Sequence, residues 1–584
     1  MPPEGEGSAA RDRRLILAIF AVALLVRAVS GWACGAASPQ EIRYITIAQG
    51  ILTDHAFAGI DTRFPDIIQP PVYPILIAAA IAVLRDPLLA GRGVSILMGS
   101  LIVFPVATLA RRIFGQAAGR RAAWLVAVYP LLTHISGLTL TEPTFTFFIA
   151  LAALRLHRVA EGGGLPLREA AVAGAWLGLA FLTRPEGLTY LVAGCAILFL
   201  SLWGARRWSA GRAAGIAGAA AACFLVLALP YSVWLRAHTG HWLIAPKAVL
   251  SQVHNWVMTE GLKEGWPERY GTTLFYERVK FGLNEEGTDL RTADLFRALG
   301  LMPRRPGEGV RSLRLAGEVI QPAHLVRVVV GNLKTLYLQV VKSGLAIPTL
   351  LMGFVAIGMT TRPWVAGPFR RGHLTLLLLV AAGGSWVFSN VQTRFLYPSA
   401  VFVIPWMAEG WCRLEDWVGD SFGRTGVRRG PLLVQGRTWL IGGVVAVACL
   451  AHTIPPARTM ASAWSENRDA GLLLGREGAP GERVMALTPV ASFYAGMSFE
   501  VMPYADVDRL VAYARHKGVR YLIADTVEFP RFRPQLVSLL DPRTAPPDLI
   551  ALHTVGADAE RRLIVYRLRR PEKEDGADVA PPLE

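Results

Sequence analysis

Apolar runs of membrane-spanning length recur along this chain, and arginines crowd the short gaps between them. About 20 predominantly apolar residues are needed to cross a bilayer. The first run is Leu15–Trp32, preceded by Arg11, Arg13 and Arg14. Its length, and the poor cleavage site at Ala33-Cys34-Gly35, read as an uncleaved span with residues 1–14 cytoplasmic. Further runs begin near Gly93, Ala122, Thr144, Glu169, Leu188, Ala213, Leu345, Leu374, Phe395 and Leu440. With the first they make about eleven spans. Composition agrees, since 53% of the 584 residues are hydrophobic and 18% charged, against about 25% charged in soluble domains.

The run Pro71–Leu84 is short and opens with two prolines. Cytoplasmic loops collect Arg and Lys. If this run does not span, Arg111, Arg112, Arg120 and Arg121 face the cytoplasm. So do Arg155, Arg158 and Arg168, then Arg206, Arg207 and Arg212, and later Arg362, Arg370 and Arg371, then Arg413, Arg424, Arg428, Arg429 and Arg437. If it does span, the first three clusters face outward. The segment is therefore expected to lie along the outer interface. The net charge of +16 becomes a topology signal, and no nucleic-acid partner is expected. The five cysteines show no CxxC spacing, so neither a zinc site nor a disulfide framework is indicated.

The layout divides into a cytoplasmic N-terminus (1–14), a membrane module (15–235) with outer loop 34–92, a second outer loop (236–344), further spans (345–454), an outer α/β domain (455–570) and a disordered tail (571–584). Two short loops, 137–143 and 183–187, also face outward. In the α/β domain, Arg483–Leu487, Val519–Ala524, Leu549–His553 and Leu563–Leu568 read as strands. Val507–His516 has helical spacing and Gly518 ends it. No glycine-rich phosphate fingerprint appears there.

Four outer stretches carry unusual residues. In Ser38–Ala48, Glu41, Tyr44, Ile45 and Ala48 recur at helical spacing, and Asp61, Asp66 and Gln69-Pro70-Pro71-Val72-Tyr73-Pro74 follow. The second stretch is Leu140-Thr141-Glu142-Pro143. A carboxylate at the bilayer edge is costly unless paired or facing water. Thr141 is expected to cap the next span and Pro143 to sit in its first turn. The plain alternative is that Glu142 only favours a helix N-terminus. The third is Thr183-Arg184-Pro185-Glu186-Gly187, where Arg184 is an anion clamp or merely a partner of Glu186. The fourth is Asn390-Val391-Gln392-Thr393-Arg394-Phe395-Leu396-Tyr397-Pro398, where Arg394 is a second clamp or a snorkelling anchor. Together they bring two carboxylates and two arginines to one water-facing pocket. Arginines neutralise a leaving phosphate, and a carboxylate removes a proton from an attacking hydroxyl.

In this order, the stretches resemble GT-C superfamily membrane glycosyltransferases, in particular the aminoarabinose-transferase and protein-mannosyltransferase clan. The family's Asp-Glu pair followed by Arg-Tyr corresponds to Gln40-Glu41-Ile42-Arg43-Tyr44, and its Pro-Pro-x-Tyr-Pro to Pro70–Pro74. Its later acidic residue corresponds to Glu142, its basic residue before glycine to Arg184–Gly187, and its Arg-aromatic-x-x-Pro turn to Arg394–Pro398. Two positions depart from the pattern: Gln40 replaces the first acid, and Gln69 stands where a basic residue is common.

The resemblance implies a polytopic α-helical membrane protein with an outer α/β domain. It implies transfer of a sugar from a polyprenyl-phosphate donor to an acceptor outside the membrane, with inversion, no cofactor and no metal. Glu41 is the expected general base and Glu142 the second carboxylate. Arg184 and Arg394 are expected to hold the donor phosphate. Gln40, Arg43, Tyr44, Gln69, Tyr73, Glu186 and Tyr397 are expected to line the site. Gln40 also leaves open a non-catalytic scaffold in envelope glycan assembly. A lipid-linked sugar transporter is a further alternative, but it predicts related halves and polar residues at mid-bilayer, and no repeat is visible.

Overall fold

The protein divides into two units, residues 1–256 with 296–463, and residues 257–295 with 464–584. The structure, a computed structural model, describes residues 4–59, 66–204, 208–240, 242–243, 246, 281–283, 286–288, 290, 322–338, 348–362, 364–365, 367–388, 392–424, 441–453, 462, 464–479, 481–556 and 561–569. Asp61, Asn390, Val391, most of the loop 236–344 and the tail 571–584 lie outside them.

The first unit is helical. Its helices begin α1 (Glu4–Ala33), α2 (Pro39–Thr53), α3 (Val72–Leu84), α4 (Pro87–Leu101), α5 (Val103–Phe114) and α6 (Gln116–Val128). They continue α7 (Pro130–Ser136), α8 (Thr141–Glu161), α9 (Pro166–Phe181), α10 (Gly187–Leu202) and α11 (Ala210–Thr239). Helices at Pro322–Tyr337, Thr349–Thr360, Gly367–Ala382, Tyr397–Arg424 and Ile441–Thr453 follow. Among the described residues, three helices are long and apolar enough to cross a bilayer: Ala10–Ala33, Pro87–Phe114 and Ala210–Thr239. They turn large apolar side chains outward, Leu25 at 64% and Val226 at 71% exposure, which water would penalise. Most other expected spans are helices at the expected places, but shorter or more charged. Helix α3 has 13 residues, about 20 Å of rise, too short to cross alone.

Proline and arginine shape the turn after α6. Pro130 has no N–H, so the Val126 carbonyl lacks its helical donor. Arg27 of α1, fully buried, donates to Val126 O at 2.7 Å and to Ala127 O at 3.1 Å. The unit closes tightly where glycines let backbones meet: a Cβ on Gly410 would strike Phe354 O, and one on Gly358 would strike Trp406 O.

The second unit carries a five-stranded sheet in the order β2-β1-β3-β5-β4. The strands are β1 (Arg483–Ala486), β2 (Ser498–Val501), β3 (Val519–Asp525), β4 (Leu549–Val555) and β5 (Leu563–Leu568). β1 pairs parallel with β2 and β3, and β5 pairs antiparallel with β3 and β4. Four strands and the helix Val507–His516 stand where periodicity predicts them, and Gly518 takes φ +66°. The reading missed β2, which is only four residues long and holds the buried Glu500 under Tyr513 Oη at 2.7 Å. The sequence also treats 236–344 as one loop, yet Leu283 joins this unit's core and Tyr504 N donates to Phe281 O.

Candidate active site

Helix α2 opens with a capping box. Ser38 Oγ accepts from Glu41 N, and Glu41 Oε2 accepts from Ser38 N at 2.9 Å. The other oxygen of Glu41 accepts from Arg92 Nε of α4 at 3.0 Å and from Thr139 N at 3.0 Å. Glu41 is 0% exposed. The residue expected as general base is thus tied to the start of α2, to α4 and to the 137–140 turn. The signal was present in the sequence, because Ser-x-x-Glu before an apolar run marks a helix start. Arg92 was missed altogether.

A second carboxylate–arginine cluster opens on a small, solvent-open cleft. Glu142, in the first turn of α8, accepts from Arg184 at 2.6 Å, and Arg394 Nε lies 3.7 Å from the same oxygen. Arg184 also donates to Glu186 at 2.7 Å and to Thr141 Oγ1 at 3.1 Å. Arg394 reaches across to Gln40 Oε1, which is exposed. The Tyr44 hydroxyl hydrogen-bonds Thr141. Phe145, Tyr190, Ser385, Phe395 and Pro398 complete the wall. The Arg184 guanidinium sits 5.8 Å over Phe145 and 5.2 Å over Phe395, positions that favour a cation.

Charge and burial oppose each other here. Burial alone would lower the Arg184 pKa, but Glu186 and then Glu142 raise it above its usual value. Arg184 is therefore a fixed cation. Burial raises the Tyr44 phenol, and Glu142 adds to the rise, so Tyr44 stays a neutral donor. Two arginines and two carboxylates leave the cleft close to neutral.

The structure thus brings together Gln40, Tyr44, Glu142, Arg184, Glu186 and Arg394. The remaining expected residues stand elsewhere. Arg43 pairs with Asp66 at 3.0 Å. Asp66 in turn caps the backbone of Ile68 and Gln69, and Gln69 is 5% exposed. Tyr73 is buried with its hydroxyl 2.6 Å from Ser95 Oγ, and packs edge-on to Tyr44. Tyr397 is buried against Ser136 Oγ at 2.9 Å. These tyrosines point inward because α3 and the 397–424 helix each bury the face that carries them. Thr141 is also not the cap that was expected. The N-cap of α8 is Leu140, without a side-chain bond, and Thr141 serves Arg184 instead. Pro143 does sit in the first turn. Among the described residues, no group of three or more His, Cys, Asp or Glu side chains is placed to hold a metal ion.

Residues 68–234 match the family described as dolichyl-phosphate-mannose-protein mannosyltransferase. No curated protein matches the chain in sequence. Among solved structures, the apo oligosaccharyltransferase of Archaeoglobus fulgidus superposes with a TM-score of 0.54 at 16% identity, over 88% of this chain and 69% of that one. The same archaeal enzyme, AglB, in complex with an inhibitory peptide and a dolichol-phosphate, gives 0.53 at 14% identity, over 90% and 70%. ArnT from Cupriavidus metallidurans in the apo state gives 0.46 at 15%, over 95% and 99%.

Proposed function

We propose that this chain, which has the GT-C glycosyltransferase fold, is a membrane enzyme that moves a sugar from a polyprenyl-phosphate donor to an acceptor hydroxyl or amide. The observation that carries this reading is the Glu142–Arg184–Arg394 cluster at an open cleft, beside Gln40. Two further facts support the donor class. Residues 68–234 match a dolichyl-phosphate-mannose-dependent family, and a neighbour of similar fold was solved with a dolichol-phosphate.

The chemistry follows from the pairing. In the empty cleft Arg184 and Arg394 are neutralised by Glu142 and Glu186. A donor phosphodiester presents two acceptor oxygens that the guanidinium forks can take in place of the carboxylates. Glu142 is then freed beside the sugar. It takes the acceptor proton as the acceptor atom attacks the anomeric carbon. The bond from that carbon to the phosphate oxygen breaks, and polyprenyl phosphate leaves with the electron pair, held by the two arginines. Attack opposite the leaving phosphate inverts the anomeric centre. Glu41 and Arg92 act at one remove, holding α2 so that Gln40 and Tyr44 meet the cleft.

The rest of the layout belongs to the same proposal. About eleven spans cross the membrane, and the cleft and the α/β domain lie outside. Reconstitution with labelled polyprenyl-phosphate sugars tests it. Transfer by the unmodified protein that Glu142→Gln abolishes is the expected result. A specific observation favours one other reading: an amide, Gln40, accepts from Arg394 at the position where the resembled family pattern has an acid. If the unmodified protein transfers no sugar but Gln40→Asp does, the chain is a non-catalytic relative.

A further inference from the structure

The cleft beside Glu142 has a second kind of lining, which the transfer chemistry does not use. Glu142, Arg184 and Glu186 bring charge to it. Tyr190, Gly383 and Ser385 are neutral, and Phe145 and Phe395 are aromatic. Tyr190 stands in the first turn of α10, and Gly383 opens the short 3-10 helix Gly383–Phe388 that follows Ala382. The two segments are fastened at Thr189, whose Oγ1 donates to Ala382 O at 3.1 Å.

The Tyr190 hydroxyl has no hydrogen-bond partner in the protein, although the residue is 1% exposed. A buried phenol usually finds one, and leaving it unpaired is unfavourable. The tyrosines around it do find theirs: Tyr44 pairs with Thr141, Tyr73 with Ser95 and Tyr397 with Ser136. The Tyr190 ring is held between two others, edge-on to Phe145 at 5.7 Å and 6.4 Å from Phe402. A glycine keeps the space at its hydroxyl free. A Cβ on Gly383 would lie 2.7 Å from Tyr190 Oη.

We propose that Tyr190 is a specificity-determining residue, whose hydroxyl hydrogen-bonds one hydroxyl of the sugar carried by the polyprenyl-phosphate donor. The inference rests on the transfer reading of this cleft. Tyr190 lines the cleft, so a ligand there meets it. A phenol both donates and accepts, as a sugar hydroxyl does, whereas the donor phosphate is served by guanidinium. Phe145 stands between the two, 5.8 Å from the Arg184 guanidinium and edge-on to Tyr190. The phosphate clamp and the free hydroxyl therefore flank one aromatic ring. Aromatic walls with a few placed polar groups are the usual lining of a small-ligand pocket. A sugar lacking the matching hydroxyl leaves Tyr190 unpaired and is discriminated against.

Equilibrium binding of labelled polyprenyl-phosphate mannose, glucose and arabinose to the full chain in detergent tests it. The donor bound most tightly is then compared with its own monodeoxy forms. At least one monodeoxy donor should bind the unmodified protein about tenfold more weakly than the complete donor, the loss of one hydrogen bond. Tyr190→Phe should bind the complete donor about tenfold more weakly, and that monodeoxy donor as the unmodified protein does. Its unfolding midpoint should not fall, because the hydroxyl removed has no partner in the protein. Equal binding of all monodeoxy donors by the unmodified protein overturns the proposal. So does an unchanged pattern in Tyr190→Phe, or a uniform loss across every donor, which marks a structural role. Sugar transfer without discrimination removes the Tyr190 subsite alone. Discrimination without transfer removes only the transfer chemistry, and binding of none of the three donors overturns both.

Discussion

Glu41 and Glu142 are both carboxylates at the same face of the helical unit, both almost wholly buried, and both paired with arginine. They differ in what surrounds the pair. Around Glu41 every acceptor position is taken by the chain itself: Ser38, Arg92 and the Thr139 amide. Around Glu142, Arg184 borders a cleft and is shared with Glu186, and Arg394 stands 3.7 Å away. A closed pair holds helices together. An open pair has room for a further partner.

The largest expected effect concerns the shared cation. Arg184→Ala removes the cation that Glu142 and Glu186 share, leaving Arg394 beside Glu142, and removes a phosphate contact. Transfer should fall by about 10³-fold or more, in the range of losing a preorganised charge at a reacting centre. Arg184→Lys should stay damaging, because one ammonium cannot serve three acceptors with a planar fork. Near-normal turnover and donor affinity in Arg184→Ala would show that the cleft is not where transfer occurs.

The two glutamates should fail in different currencies. Glu142→Gln should reduce turnover by about 10²–10⁴-fold while thermal unfolding shifts little. Glu41→Gln removes the charge paired with the buried Arg92, which keeps its bond to Gly31 O, and should cost up to about 3–5 kcal/mol of stability, with turnover per folded molecule largely kept. Measuring unfolding midpoint and specific activity on both variants separates the roles. Equal activity loss without destabilisation in Glu41→Gln would make the two pairs alike and restore Glu41 as the base. Adding Arg92→Met to Glu41→Gln should recover much of the stability, since apolar replacement of a whole buried pair is often neutral.

Gln40→Asp sharpens the same contrast at the exposed rim. It sets a charge against Arg394 where an amide now accepts, and should be tolerated with equal or higher turnover. A loss of folding would mean that position 40 is closed like its neighbour. The smallest effect is expected far from either pair. Arg515 and Asp548 in the α/β unit meet at 2.6 Å but are 39% and 38% exposed, so Arg515→Ala should change stability by less than about 1 kcal/mol. Larger destabilisation would show this surface pair to be anchored in the fold.

Much of this protein is legible in its sequence, for local reasons. Apolar runs and the strand and helix patterns after residue 480 act within one or two turns of chain. The capping box at Ser38–Glu41 is equally local. The order of the four outer stretches drew attention to Glu142, Arg184 and Arg394, which the fold does assemble. What the sequence did not determine is which polar groups share a cavity. Glu41 finds Arg92 51 residues away, and Arg27 caps α6 from 99 residues away. Tyr73 and Tyr397 turn from cleft to core because helix packing sets which face is buried. Those partners are chosen by how distant helices cross, and a misplaced buried charge costs several kcal/mol. Tertiary packing, not residue type or spacing, decides which carboxylate is sealed and which one opens on the cleft.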